Sequence, residues 1–126
     1  MYNIMIIDDE QEILKIIKRS LNKSNKYNIS TYINPLEALE HYNKNLDLIL
    51  IDIMMPQMNG FDLIDKIKEI NQDQKILAMT AYSSTKQIGQ SIHIDDKNYI
   101  TKPFESMEYL EYKILQLIEE INYNFD

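Results

Sequence analysis

The chain has no cysteine, and Arg19 is its one arginine. Missing thiols exclude disulfides and thiolate metal sites, and they suit a reducing cytosol. Positive charge is scarce: 13 Lys and Arg stand against 20 Asp and Glu, for a net charge of −7. Phosphate backbones are gripped by clustered Lys and Arg, so no direct nucleic-acid binding by this domain is expected. Long hydrophobic runs are also missing. The longest, around Leu48 to Met55, is broken by Asp52 and is far shorter than a membrane span. Met1 is followed by polar Tyr2-Asn3 rather than a leader-like apolar stretch, so a cytoplasmic protein with no membrane contact is expected. With 126 residues, 44% apolar and 26% charged, one soluble domain over residues 1–126 is the expectation.

What is present is a set of short apolar runs, each ending on a polar residue. Ile4 to Ile7 leads into Asp8-Asp9, and Leu48 to Ile51 into Asp52. Ile76 to Met79 leads into Thr80, and Tyr99 to Thr101 into Lys102. Ile-rich runs without alternation read as strands buried on both faces, hence a parallel sheet. Ligands of such sheets bind outside the carboxyl ends of the strands, where these residues would converge. Three carboxylates together repel one another, and a divalent cation would offset them.

Helical spacing fills the intervals. Glu10 to Asn22 carries Ile13, Leu14, Ile16, Ile17 and Leu21. Tyr27 to Tyr32 is β-rich but more polar, as suits an edge strand. Pro35 opens a helix through Lys44, with proline in the tolerated first turn. A loop from Ile53 holds Pro56 and the turn pair Asn59-Gly60, followed by a helix from Phe61 to Ile70 with Phe61, Ile64, Ile67 and Ile70 in steps of three. A poor helix follows the fourth strand, the fifth strand runs from Asn98 to Thr101, and a helix from Ser106 to Asn122 closes the order. Five βα units in this sequence predict a doubly wound five-stranded parallel sheet with right-handed crossovers and five helices.

Each polar residue has a plain structural explanation. Asp8 or Asp9 could simply cap the first helix, Asp52 could be a solvated loop acid, Thr80 a cap, and Lys102 a surface lysine before Pro103. Their joint placement at the ends of adjacent strands argues for a site, because functional groups concentrate on loops held by a rigid scaffold.

Taken together, Asp8-Asp9-Glu10, Asp52 with Met54-Met55-Pro56 and Met58-Asn59-Gly60, Thr80-Ala81, and Tyr99 with Lys102-Pro103-Phe104 resemble a response-regulator receiver domain. That module is the phosphoacceptor of two-component signalling, here similar to the stand-alone chemotaxis and sporulation type. The resemblance spans about residues 3 to 121, and it implies a flavodoxin-like sheet in the order 2-1-3-4-5.

It implies a role for each residue. Asp52 would be the nucleophile and the phosphorylation site. The implied cofactor is Mg²⁺, with Asp8, Asp9, Asp52 and the backbone carbonyl of Met54 as its protein contacts. Lys102 would pair with Asp52 at rest and with a phosphoryl oxygen afterwards, across a Lys102-Pro103 bond that is cis in the family. Thr80 would contribute its hydroxyl, with Asp52 and Lys102 as its catalytic companions, while small Ala81 keeps the pocket open. Thr80 and Tyr99 would form the switch, and the output face would comprise the poor helix, the fifth strand and the last helix. Expected partners are a histidine kinase or histidine phosphotransfer protein, and a downstream protein or fused effector. Ile13 and Ile16, not needed to cover the sheet, would either widen the core stripe of the first helix or remain partly exposed as a patch for the donor's helices.

Departures from the pattern cluster before the fifth strand. Gly89 and the weak helix formers around it, and Asp95-Asp96 in place of the usual Gly-Ala, all fall there. Two other functional classes are open to such a chain. One is a receiver-shaped interaction module that acts without phosphorylation, against which the complete set of site residues speaks. The other is a metal-dependent phosphatase, which needs an acid two residues after its nucleophile where Met54 stands.

Overall fold

Apolar runs with no polar alternation leave no face for water, so they are buried on both sides by neighbours and helices. The computed structural model describes residues 1–81 and 96–119. It places β1 (Tyr2–Ile7), β3 (Leu48–Asp52), β4 (Ile76–Thr80) and β5 (Tyr99–Thr101) in one sheet with the more polar β2 (Tyr27–Tyr32) at its margin. The order is β2-β1-β3-β4-β5 and all four pairings are parallel. Fold and strand order are those expected. β2 is an edge strand, as its polarity requires.

Alternation along each strand divides the core in two. Ile4, Ile6, Leu48, Leu50, Leu77, Met79 and Ile100 face α1 (Gln11–Asn22) and α4 (Met107–Ile118). α1 contributes Leu14, Ile17 and Leu21, and α4 contributes Leu110, Ile114 and Leu117. On the other face Met5, Ile7, Ile49, Ile51 and Ile76 meet Ala38 of α2 (Pro35–Glu40) and Leu63 and Ile67 of α3 (Gly60–Ile70). Burying each such side chain contributes roughly 1.5–3 kcal/mol, so this two-sided packing dominates the stability of the sheet. Among the described residues no helix is long and apolar enough to cross a membrane.

Several element boundaries, and the buried face of α3, differ from the sequence reading. α2 ends at Glu40 rather than Lys44, because Asn43 turns its side chain onto the backbone N–H of Asn45 (2.9 Å) and so competes with helical bonding. α3 buries Gly60, Leu63 and Ile67, while Ile70 is exposed. A strict series in steps of three falls back about 60° per step, so Phe61, Ile64, Ile67 and Ile70 cannot all share one face. β5 begins at Tyr99, since Asn98 ends a single 3-10 turn (Asp96–Asn98) and donates its side-chain amide to the Ile76 carbonyl (3.1 Å).

The poor helix before β5, with Gly89 and Asp95, lies outside the described residues, as does the expected end of the last helix at Asn122. α4 starts one residue later than expected, because Ser106 caps it, accepting from the Tyr109 N–H at 3.0 Å.

Candidate functional site at the carboxyl ends of the strands

The two-residue period of the strands aims the site. Asp8, Asp52 and Lys102 each stand two positions beyond a core residue of the same face, namely Ile6, Leu50 and Ile100. The sheet register sets Asp8 level with Asp52 and, through Met79, with Ile100, so Lys102 stands two residues beyond them and its long side chain brings the ammonium to both carboxylates. Lys102 Nζ lies 2.6 Å from Asp8 Oδ2 and 3.6 Å from Asp52 Oδ2. Asp8 is fully buried and Asp52 nearly so. Asp9 and Glu10 are exposed at the rim.

Backbone groups hold both buried acids. Asp8 Oδ1 accepts from the Glu10 N–H (2.9 Å), so the local turn role open to an acid here is real for Asp8, alongside its ion pair. Asp52 Oδ1 accepts from the Met54 N–H (3.2 Å). The expected resting pair of Lys102 with Asp52 is present at 3.6 Å, but it is the longer of two. Both carboxylates are buried, and the ammonium makes its charge-assisted hydrogen bond with Asp8. The Lys102-Pro103 peptide is cis, as expected.

Charge and burial set the protonation of the pocket. Desolvation first, and the Asp8 charge second, push the Asp52 carboxyl up to about 7. Lys102 and the Met54 N–H pull it back, while a hydrogen bond with Asp9 raises it further. Burial works against the Lys102 ammonium, yet the hydrogen bond and charge of Asp8, with Asp52 and Glu10 behind, hold it above the usual lysine value.

The donor set fits a hard divalent cation. Oxygen atoms of Asp8, Asp9 and Glu10 lie within 4.8 Å of one another, and oxygen-only ligands suit Mg²⁺ or Ca²⁺. Glu10 belongs to the sequence motif, but the resemblance implies no role for it. Its position follows from the turn that Asp8 itself caps. Met54 is 56% exposed, and its backbone meets the site through the N–H that it donates to Asp52.

Thr80 is buried at the end of β4, and exposed Ala81 follows it. The Thr80 carbonyl accepts from the Lys102 N–H (2.7 Å), which ties the two strand ends together. In the register Ala78 stands beside Tyr99 and Thr80 beside Thr101. Tyr99 and Thr80 thus share one face of the sheet. Tyr99 is partly buried.

Gly60 is, within the site, a residue that sequence reasoning places wrongly. Asn59-Gly60 is not a turn pair: Asn59 caps α3 through its side chain, accepting from the Phe61 N–H (2.8 Å), and Gly60 is the first helical residue. A Cβ on Gly60 would lie 2.6 Å from the Asp52 carbonyl oxygen and 2.6 Å from the Ile53 Cα. The Gly60 N–H donates to the Ile53 carbonyl at 2.9 Å. The missing side chain lets α3 abut the backbone that carries Asp52.

Comparison with known proteins agrees with this arrangement. Residues 4–114 match the model of the response regulator receiver domain. The chain is 29% identical over 108 residues to the response regulator SaeR of Staphylococcus epidermidis, covering 86% of this chain and 47% of that protein. It spans about half the length of the curated relatives it matches. Among solved structures, a CheY-like response regulator receiver domain protein from Methanospirillum hungatei superposes with a TM-score of 0.83 at 28% identity, covering 95% of each chain. A two-component response regulator from Clostridium difficile gives 0.80 at 26% identity, covering 97% of this chain and 99% of the other. With the matched family model spanning nearly the whole sheet and every strand end that builds the pocket, the chain belongs to the response regulator receiver domain family.

Proposed function

We propose that this chain is the phosphoacceptor of a two-component or phosphorelay pathway, in which Asp52 takes a phosphoryl group from a histidine of a partner kinase or phosphotransfer protein. A carboxylate oxygen of Asp52 attacks phosphorus, the P–N bond to the imidazole breaks, and the released nitrogen regains its neutral form, leaving an acyl phosphate on Asp52. The observation that most supports this reading is one ammonium serving two buried carboxylates: Lys102 Nζ, 2.6 Å from Asp8 and 3.6 Å from Asp52. A charge held there can follow a phosphoryl oxygen with little reorganisation.

An Mg²⁺ ion held by Asp8, Asp9, Asp52 and the Met54 carbonyl, with Glu10 near, would supply compensation for the phosphoryl charge. The residues do the rest. Lys102 orients one phosphoryl oxygen, the Thr80 hydroxyl donates to another, and Ala81 leaves room for the group. Movement of Thr80 toward the phosphoryl group opens space beside β4 for Tyr99, which shares its face of the sheet. The face formed by β5 and α4 then presents the signal to a downstream protein or a fused effector.

The test is labelling by acetyl phosphate in Mg²⁺, followed by intact mass. One phosphoryl group on the wild type and none on Asp52→Asn is the expected result. A wild type that takes none would favour an interaction module that acts without phosphorylation.

A further inference from the structure

Lys113 occupies an unusual place for a lysine. It lies on the packed side of α4, next to Leu110, Ile114 and Leu117, and only 8% of its surface is exposed. Lysine is rarely buried without compensation. Its ammonium lies over two rings, 5.7 Å from the centroid of Tyr99 on β5 and 5.9 Å from that of Tyr109 one helical turn back. Both distances are within the reach of a cation–π attraction, which strengthens when the cation is desolvated. The three side chains, with Thr101 and Glu105, border a cleft of about 270 Å³ at the β5 edge.

We propose that Lys113 is a positioning residue for Tyr99, a latch that holds the ring at the β5 edge until Asp52 is phosphorylated. The inference rests on the reading of Tyr99 as the switch aromatic. A group biases a two-state equilibrium only by interacting differently with its two states. The Lys113 ammonium meets that condition. It faces the Tyr99 ring at the edge and would lose that face when the ring turns in toward Thr80. Tyr109 is a second wall beside the ammonium, and it rides on the same helix as Lys113. A purely structural lysine would only lay its stem along the apolar stripe and leave Tyr99 indifferent to its charge.

The test compares Lys113→Met, which keeps the length and apolar packing of the stem, with Lys113→Arg, which keeps the cation. The readout is the NMR ring signals of Tyr99, assigned with Tyr99→Phe, before and after labelling by acetyl phosphate in Mg²⁺. In unphosphorylated Lys113→Met the signals should move part of the way toward their phosphorylated positions, with an inward-to-edge ratio raised about 2- to 10-fold. Lys113→Arg should stay near the wild type. Tyr109→Leu, which removes the second wall only, should move them in the same direction by less, and it serves as the test if Lys113→Met does not fold. Tyr99 signals that respond to phosphorylation in the wild type but rest unchanged in Lys113→Met and Tyr109→Leu would overturn the latch and leave the switch reading standing. Signals that do not respond in the wild type, with Asp52 labelled, would overturn both.

Discussion

The α carbon of Gly60 stands so close to Asp52 that a methyl group added to it would lie 2.6 Å from the Asp52 carbonyl oxygen. Backbone, not a flexible side-chain tip, occupies that space, so Gly60→Ala must displace either α3 or the end of β3. We expect a loss of about 1–3 kcal/mol in denaturant unfolding, as for other overpacked sites. Labelling by acetyl phosphate should slow as well, because Asp52 moves with its strand end. An alanine variant as stable and as fast as the wild type would show that the junction is looser than the geometry requires.

Much of the fold is legible in the sequence because burial on both faces writes an unambiguous pattern. β2 shows its correct bounds and its edge position there, whereas the full strand order is implied by the family resemblance and not by the βα alternation alone. Less visible are features set by side chains bonding to nearby backbone. Asn43 ends α2 early and Asn59 turns an apparent loop pair into a helix start, since local propensity does not reveal which carbonyl or N–H will be in reach. The site residues are legible through their places at strand ends. The division of Lys102 between Asp8 and Asp52 is not, because it is a matter of side-chain distances at the strand ends that no sequence pattern carries. Leu63 escapes a reading in steps of three for a geometric reason: such steps drift off the face that Gly60, Leu63 and Ile67 keep.

The raised Asp52 carboxyl makes stability depend on pH. Its value goes from an ordinary 3.8 to about 7 on folding, mainly by burial and the Asp8 charge. A proton is therefore held more tightly in the folded state, and the stability it confers is complete below about 4 and lost as pH rises through 7. In chelator, Asp52→Asn should match the wild type near pH 4 and exceed it increasingly up to pH 7 and above. A tenfold difference in proton affinity is worth about 1.4 kcal/mol. Solvent screening and relaxation reduce the sum, so a gain on the order of 1–3 kcal/mol is expected. Parallel melting curves with a pH-independent offset would contradict this assignment of the titration.

Cation binding should separate the acids. Asp9 is exposed at the rim, whereas Asp8 is already bonded to Lys102 and to the Glu10 N–H. Asp9→Ala should weaken Mg²⁺ binding with little change in thermal stability. Asp8→Ala should lower both, because it leaves the Lys102 ammonium without its nearest partner. Calorimetric titration alongside melting checks this, and unaltered Mg²⁺ affinity in Asp9→Ala would remove Asp9 from the ligand set.

The two isoleucines that α1 does not need for its core stripe behave differently. Ile16 is 47% exposed, while Ile13 packs on the core cluster that also holds Phe104. Ile16→Ser should leave the melting temperature nearly unchanged and slow transfer from a phosphorylated kinase, with acetyl-phosphate labelling unaffected. Ile13→Ser should cost about 1–2 kcal/mol of stability. Equal kinase rates for Ile16→Ser and wild type would remove α1 from the docking surface.

The central claim is that Asp52, and no other acid of the pocket, carries the phosphoryl group. After transfer from a phosphorylated histidine kinase in Mg²⁺, borohydride reduction converts an aspartyl phosphate to homoserine, which peptide mass spectrometry can place. The account predicts homoserine at position 52 alone, with unmodified Asp8 and Asp9. Homoserine at position 8 or 9, or a protein left unmodified by a kinase that labels other receivers, would contradict it.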